Sequence, residues 1–401
     1  MRKVITRLQF DRVWATVRSW PPSWLLLGMT VPTVMLVFWL LMGPFTSLLA
    51  GEEVRTLTGR ERVQARDATR QLILQAAGGA AALAALVFTA RSYLLNRRGQ
   101  QTQRFKDAGE HLGSENVVTR IAGIYSLEHV MRESPEDHAT VVEVLCAFIR
   151  EHAPPSHPDK QEETGPLVPP RTDIQAALTV VARRPDRPED DLIIDLSGLH
   201  LEGARLPRAR LDRANLHGSY LLGADLTGAH LTRANLSRTV LTAADLGNAN
   251  LRESDLTSAT LRNAGAHQVD LRNADLHRAN FSGAHLEEAR LDGANLLKAE
   301  LTKTHLDQAS LKDATLICAD LRDAFVVNAD LTRSDLSSAL VEGTMFHRST
   351  MRGTSFRGAD GIQLAHFAFV DASDVLGFTQ QRWESVFTNS STRAPKVFDH
   401  D

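Results

Sequence analysis

From Leu196 to Phe356 every fifth residue is apolar, and the phase does not slip. The run covers 33 positions, and 26 of them are Leu; the exceptions are Ala266, Phe281, Val326, Val341, Phe346, Met351 and Phe356. Two residues before each centre sits a small one, which is Ala, Ser or Thr at 30 of the 33 positions. A period of five matches neither the helical 3.6 nor the strand 2.0. It predicts a solenoid in which each five-residue segment forms one side of a coil. The centre and the small residue point inward, and the other three face water. Asp or Asn often precedes the centre, as in Ala224-Asp225-Leu226 and Ala249-Asn250-Leu251, and Gly, Arg, Asn or Ser often stands two after it. Those types suit turns and solvent. Such units bury an apolar face only by stacking. Ala266 is small for a centre, and Val269 at the next small position returns the lost volume.

The first hundred residues follow a different pattern. Ser23–Met42 holds 20 residues without a charge, long enough to cross a bilayer, with Trp20, Trp24 and Trp39 near its ends. Leu72–Ala90 is also uncharged, and its small residues Ala77, Gly78, Gly79, Ala81 and Ala82 permit close helix contact. The first stretch reads as a span rather than a signal peptide, because its apolar part is long and no small-x-small cleavage site follows. Arg2, Lys3, Arg7, Arg12 and Arg18 precede the first span, and Arg91, Arg97, Arg98, Arg104 and Lys106 follow the second. The loop between carries five Arg diluted by Glu52, Glu53, Glu61 and Asp67. This bias predicts a two-span anchor in the cell membrane with both termini, and the repeats, in the cytoplasm.

Residues 101–153 read as helical. One helix is expected over 116–132, with Ile121, Ile124, Leu127 (or Tyr125) and Val130 on one face. Ser134 with Pro135 reads as the start of the next helix, which carries Val141, Val142, Leu145, Phe148 and Ile149. A Pro-rich linker, 154–171, follows. Thr172 and Gln175 have capping-box spacing for a short helix over 173–184, within a capping segment 172–191. The helical piece either covers the first coil or binds a partner. The period decays after Phe356; LAHFAFVD (364–371) and a short helix over 380–387 with Trp383 and Phe387 read as a C-terminal lid, ending in a cap and tail over 372–401.

Ala214-Asn215-Leu216, Ala274-Asp275-Leu276, Ala294-Asn295-Leu296 and Ala329-Asp330-Leu331 resemble the repeat of the pentapeptide-repeat proteins. The resemblance covers residues 192–371. It implies a mainly β fold: a right-handed quadrilateral β-helix with four repeats per coil, preceded here by the α-helical segment and the two transmembrane helices. Thirty-three units then give about eight coils and a rod about 40 Å long. Many such proteins of bacteria dimerise end-on, so the C-terminal end either caps alone or also forms a homodimer.

Four repeats per coil stack residues 20 apart. The column Asp195, Asn215, Asn235, Asp255, Asp275, Asn295, Thr315, Asp335 is expected to bond local backbone rather than cations. Outward apolar residues gather toward the C-terminal coils: Leu297 and Ile317 in one column, with Phe325, Val327, Leu340 and Met345 nearby. They form the candidate interaction surface, to be covered by the tail or by a partner. His285 and His305 share a column, but no Cys or carboxylate with metal-ligand spacing is recognised beside them, and surface histidines are expected. Cys146 and Cys318 form no CxxC. Phosphate loop, nucleophile elbow and HExxH motifs are missing from the sequence.

The expected function is therefore a non-catalytic, membrane-tethered scaffold, without cofactor or metal, whose partners are the lipid bilayer and an unidentified protein. The alternative implied by the resemblance is a DNA-mimicking inhibitor or protector of DNA gyrase. Residues 191–360 hold 22 acidic and 19 basic residues, a net charge of −3, which disfavours mimicry and nucleic acid alike.

Overall fold

The computed structural model describes residues 58–155, 167–185 and 192–396, together with Trp39 and Phe398. Internal contacts divide the chain into two units, Met1–Gly99 and Gln100–Asp401. Helix α1 (Gly59–Leu112) begins in the first and runs into the second. Its segment Gly59–Leu94 is, among the described residues, one helix long and apolar enough to cross a membrane. Leu83, Leu86, Val87 and Phe88 stand uncovered on it. The expected span over 72–90 lies within this helix, whereas the one over 23–42 falls outside the described residues.

In the second unit α2 (Val117–Glu133) is capped by Asn116, whose side chain accepts from Val118 N–H. Ile124, Leu127 and Val130 are buried, Ile121 is half-buried and Tyr125 is exposed, so Leu127 is the inward residue of that pair. Ser134 does not start the next helix. Its N–H donates to Val130 O and closes α2, and α3 (His138–His152) begins after the Pro135–Asp137 turn. The reason is that a backbone N–H already aimed at the preceding helix leaves Ser134 as a C-cap, not an N-cap. Helix α4 (Thr172–Ala182) has no side-chain cap bond, so the Thr172–Gln175 capping box does not form. Asp173 is instead buried, held by Arg120 Nε at 2.7 Å and Arg171 Nη2 at 2.8 Å. A second ionic contact between α2 and α4 joins Arg183 to Glu128 at 2.5 Å.

The β-helix begins at Asp195. Parallel bridges link Asp195 to Asn215, His200 to Tyr220, Arg205 to Asp225 and Arg210 to His230, and the same step of 20 then repeats up the rod. Four bridges per coil make four faces. Centres and small residues are buried from end to end, including Ala266 and Val269 together.

Four amides of the five-residue unit have a backbone acceptor, and the fifth is taken by a side chain where one reaches it. The centre N–H donates to the next coil, as from Leu206 to Asp225 O at 2.7 Å. The N–H two residues on does the same, from Arg208 to Thr227 O. The residue before the centre donates to the previous coil, from Asp225 to Ala204 O at 2.9 Å, and the small residue closes a turn, from Ala204 to Leu201 O at 3.1 Å. The remaining amide, just after the centre, is taken by the Asp or Asn side chain before it: Thr227 to Asp225, Ser237 to Asn235, Thr257 to Asp255. Asp and Asn are frequent there because they alone among these types satisfy that amide from two residues away. Ser or Thr at the small position donates its buried hydroxyl to a carbonyl, as Thr304 does to Phe281 O at 2.8 Å.

The corner has a conformational cost. All 33 residues two after a centre, from Gly198 to Gly358, have positive φ, and 23 of them are not glycine. A left-handed residue costs about 1–2 kcal/mol when it carries a Cβ. Arg, Asn, Lys and Glu accept it here because their N–H is fixed by the next coil.

The helical segment covers the first coil. His200 N–H donates to Pro154 O, Arg205 N–H to Gln175 Oε1 at 3.0 Å, and Arg210 N–H to Ala182 O. Gln175 Nε2 returns a bond to Arg205 O at 2.8 Å. The side-chain amide of Gln175 thus replaces a missing coil, which is why it is not available for a capping box.

At the other end the coil continues where a lid was expected. Met345 bridges His366, a step of 21, and Thr350 bridges Asp371 and Ser355 bridges Leu376. The extra residue is absorbed at Gly361 and a 3-10 turn, Ile362–Leu364. Strand β1 (His366–Phe367) then pairs with β2 (Phe387–Thr388), and Asp371 with Arg393. Helix α5 (Gln380–Glu384) stops before Phe387, which lies in β2 rather than in the helix. Phe346, Phe356, Phe367 and Phe378 fill the last coils, and Trp383 of α5 packs on Phe367 and Phe378.

Two glycines separate conformational cost from collision. Gly198 (φ +65°) has open space around an added Cβ, whereas at Gly377 (φ +94°) a Cβ would strike the backbone at Arg357 N and Phe356 C. Gly198→Ala is expected to cost about 1 kcal/mol, and Gly377→Ala roughly 3 kcal/mol or more, because backbone cannot yield as a side chain can. Thermal denaturation of both variants checks this; equal losses would contradict it.

Candidate functional site

With the interior filled, the chemistry of the rod lies on its four faces. The first face starts at Asp195, the second at His200, the third at Arg205 and the fourth at Arg210. The six apolar candidates are all half-buried, and they do not form one patch. Leu297 and Ile317 share the first face, Leu340 lies on the second, and Phe325, Val327 and Met345 lie on the third. Stacking a coil apart lets such side chains shield one another.

The Asp/Asn column of the first face is committed to structure. Asp195, Asn215, Asn235, Asp255, Asp275, Asn295 and Asp335 each accept from the N–H two residues on. Asn215 also donates to Asp195, and Asn295 to Asp275, both at 3.0 Å.

The third face is chemically richest. Its pre-centre column runs Gly265, His285, His305, Phe325, Met345 and His366. The His285 and His305 rings stack with centroids 4.8 Å apart and 12° between planes, and Phe325 continues the stack at 4.6 Å and 6°. Contrary to the sequence expectation, carboxylates do stand beside both histidines. His285 Nδ1 is 3.0 Å from Glu287 Oε1, and His305 Nδ1 is 3.9 Å from Asp307 Oδ2. The signal was present as His-Leu-acid at 285–287 and again at 305–307. In an extended segment residues i and i+2 share a side, so each triplet displays its imidazole and carboxylate together.

These groups perturb one another. Burial raises the Glu287 carboxyl, but the His285 hydrogen bond and the backbone more than offset it, leaving it below the ordinary value. Asp307 is pushed up by burial, with the charge of Glu287 adding to the effect. Farther along, His347 meets His366 edge to face at 6.2 Å.

Both cysteines are free. Burial pushes the Cys146 thiol up to about 11, so it stays protonated and inert. Cys318 is exposed at a left-handed corner. A groove of about 500 Å³ between α1 and α2 is lined by Arg104, His111, Tyr125 and His129. Arg104 pairs with Glu133 at 3.2 Å, and His129 Nε2 lies 3.1 Å from the same carboxylate.

The family model described as pentapeptide repeats matches residues 194–233, 234–273, 270–308, 294–333 and 327–360, with eight copies. Among solved structures the chain is similar to HetL, a pentapeptide repeat protein involved in heterocyst differentiation regulation in the cyanobacterium Nostoc. Identity is 27% over 48% of this chain and 86% of that one, with a TM-score of 0.39. It is also similar to QnrB1, a plasmid-mediated fluoroquinolone resistance protein, at 20% identity over 47% and 86% of the two chains, with a TM-score of 0.30. A pentapeptide repeat protein of the Arabidopsis thaliana thylakoid lumen is 28% identical over 26% of this chain and 63% of its own, with a TM-score of 0.14. No curated protein matches the chain.

The His347–His366 pair has a pH consequence. Burial first, then the charges of His366 and Arg348, lower the His347 value below 6.5. Below that pH the unfolded chain binds the proton more readily than the folded one. This contribution to stability is therefore complete above pH 6.5 and is lost as pH falls through the lowered folded value. Comparing melting temperatures of the wild type and His347→Gln from about pH 8 to about pH 5 should show a shallower acid-side decline in the variant; identical slopes would rule the effect out.

Proposed function

Through the repeats of residues 194–360 the chain belongs to the pentapeptide-repeat proteins, and on that premise we propose that it is a membrane-tethered, non-catalytic scaffold. Its β-helical rod presents protein-binding faces on the cytoplasmic side. The observation that carries the tether is the uncovered apolar surface of Gly59–Leu94. At 36 residues this segment exceeds the roughly 20 needed to span hydrocarbon. The charge bias around the two expected spans supports a cytoplasmic rod.

The binding role follows from where the residues go. Centres and small positions are consumed by the core, and the pre-centre carboxylates by backbone amides. What remains outside is a set of flat, stacked columns, of which the third face offers Phe325, Val327 and Met345 side by side. The same geometry weighs against DNA mimicry. A mimic needs an unbroken acidic stripe approaching one charge per roughly 1.7 Å. Here Arg233 pairs with Glu253, Arg272 with Asp270, Arg322 with Asp320 and Arg333 with Asp313.

The exposed Cys318 supplies a native label. The full chain should stay with membranes after alkaline carbonate extraction. A membrane-impermeant maleimide should label Cys318 only after the cells are opened, while buried Cys146 stays unlabelled. Extraction into the soluble fraction would refute the tether, and labelling of Cys318 in intact cells would reverse the topology. A gyrase supercoiling assay with the full chain should show no effect; inhibition at micromolar protein would favour the gyrase reading instead.

A further inference from the structure

On the third face, two successive coils repeat one chemical pattern in register. Leu286 and Leu306 turn into the core, and His285 with Glu287, and His305 with Asp307, stand outside. His285 bridges His305 through the backbone, so the two pairs are held one above the other by the ladder. One ligand-capable atom each from His285, Glu287 and His305 lies within 4.8 Å of the others. The neighbouring coil places Gly265, without a side chain, over His285. The opposite side of the pair is closed by the ring of Phe325 on His305.

We propose that His285, Glu287 and His305, with Asp307 as fourth donor, bind a divalent transition-metal ion of the zinc class. Two imidazoles and carboxylate oxygens are the donor set of borderline ions. Magnesium and calcium take oxygen ligands, so two histidines disfavour them. Donors around one tetrahedral zinc stand about 3.3 Å apart, from metal–ligand distances of about 2.0–2.1 Å. The present spacing is wider, and binding draws the side chains together. The half-exposed histidines have the freedom to turn, whereas the backbone beneath them is fixed by the bridges on both sides. Metal binding therefore breaks the parallel imidazole stack, since lone pairs of stacked rings lie in parallel planes and a shared ion requires them to converge.

The test is calorimetric titration of zinc chloride into the full-length protein in detergent, after chelator treatment, with thermal melts in parallel. One equivalent should bind with micromolar or tighter affinity, magnesium should not compete, and zinc should raise the melting temperature. His305→Gln and Glu287→Gln should each weaken binding by about tenfold or more. His285→Gln combined with His305→Gln should abolish that equivalent. His230→Gln, an exposed histidine on the fourth face, should change nothing. Circular dichroism reports whether each variant keeps its fold. Absence of zinc binding, or the same zinc affinity and stoichiometry in the folded double variant as in the wild type, overturns the proposal.

Discussion

The structure depends on the parallel backbone ladder that repeats every 20 residues. Once centre and corner amides donate to the coil ahead, the pre-centre amide to the coil behind and the small-residue amide to the preceding centre, four of the five amides in each unit are fixed. The fifth must come from a side chain, and Asp or Asn supplies it. The left-handed corner follows from the same constraint: its N–H has to point along the rod, and residues with a Cβ tolerate the strain because the ladder over-determines them. Leucine in the interior fills the space that this backbone encloses, and hydroxyls at the small positions answer the carbonyls that line it.

A ladder of this kind has open ends, and the two ends are closed by different means. At the start, Pro154, Gln175 and Ala182 provide the acceptors that an earlier coil would have provided. The buried Asp173 with Arg120 and Arg171, and Glu128 with Arg183, fix α4 against α2 so that those acceptors are in place. At the far end the repeat does not stop so much as loosen. Single extra residues are absorbed near Gly361 and Gly377, and larger aromatic side chains replace leucine as the coil widens.

The period-five core was legible in the sequence because one pattern runs through 33 units without a break, and Ala266 and Val269 keep their inward places in it. Local helix signals were less reliable. Thr172 and Gln175 have the spacing of a capping box, but Gln175 is claimed by Arg205 thirty residues away, and no local rule sees that partner. Ser134 closes a helix although its neighbour Pro135 suggests a start. The sequence places the repeat fold through 371, but its period reads as decaying after Phe356 and 364–371 as part of a lid, because one inserted residue shifts the phase to the His366, Asp371 and Leu376 bridges. The six apolar candidates are half-buried and divide among three faces, a grouping that required counting faces rather than proximity along the chain. The His-Leu-acid triplets were visible as letters and became a cluster only when alternation and the 20-residue step were applied together.

The proposed function rests on the same allocation of residues: an interior that is wholly structural, a first face whose Asp/Asn column is committed to backbone, and a third face whose pre-centre column changes from Asp225 and Asp245 to the imidazole and aromatic rings of His285, His305 and Phe325. The most direct measurement of the central claim is native-state hydrogen exchange resolved by residue across 196–358. The ladder predicts slow exchange at four amides of every five, with the amide after each centre slow only where an Asp or Asn side chain accepts it, from the position before that centre or, as at Thr232 and Lys312, from Asp212 and Asp292 one coil below, so that Thr227, Ser237, Thr232 and Lys312 are protected and Glu202 is not. Protection with a helical period, or rapid exchange at the centres themselves, would contradict it.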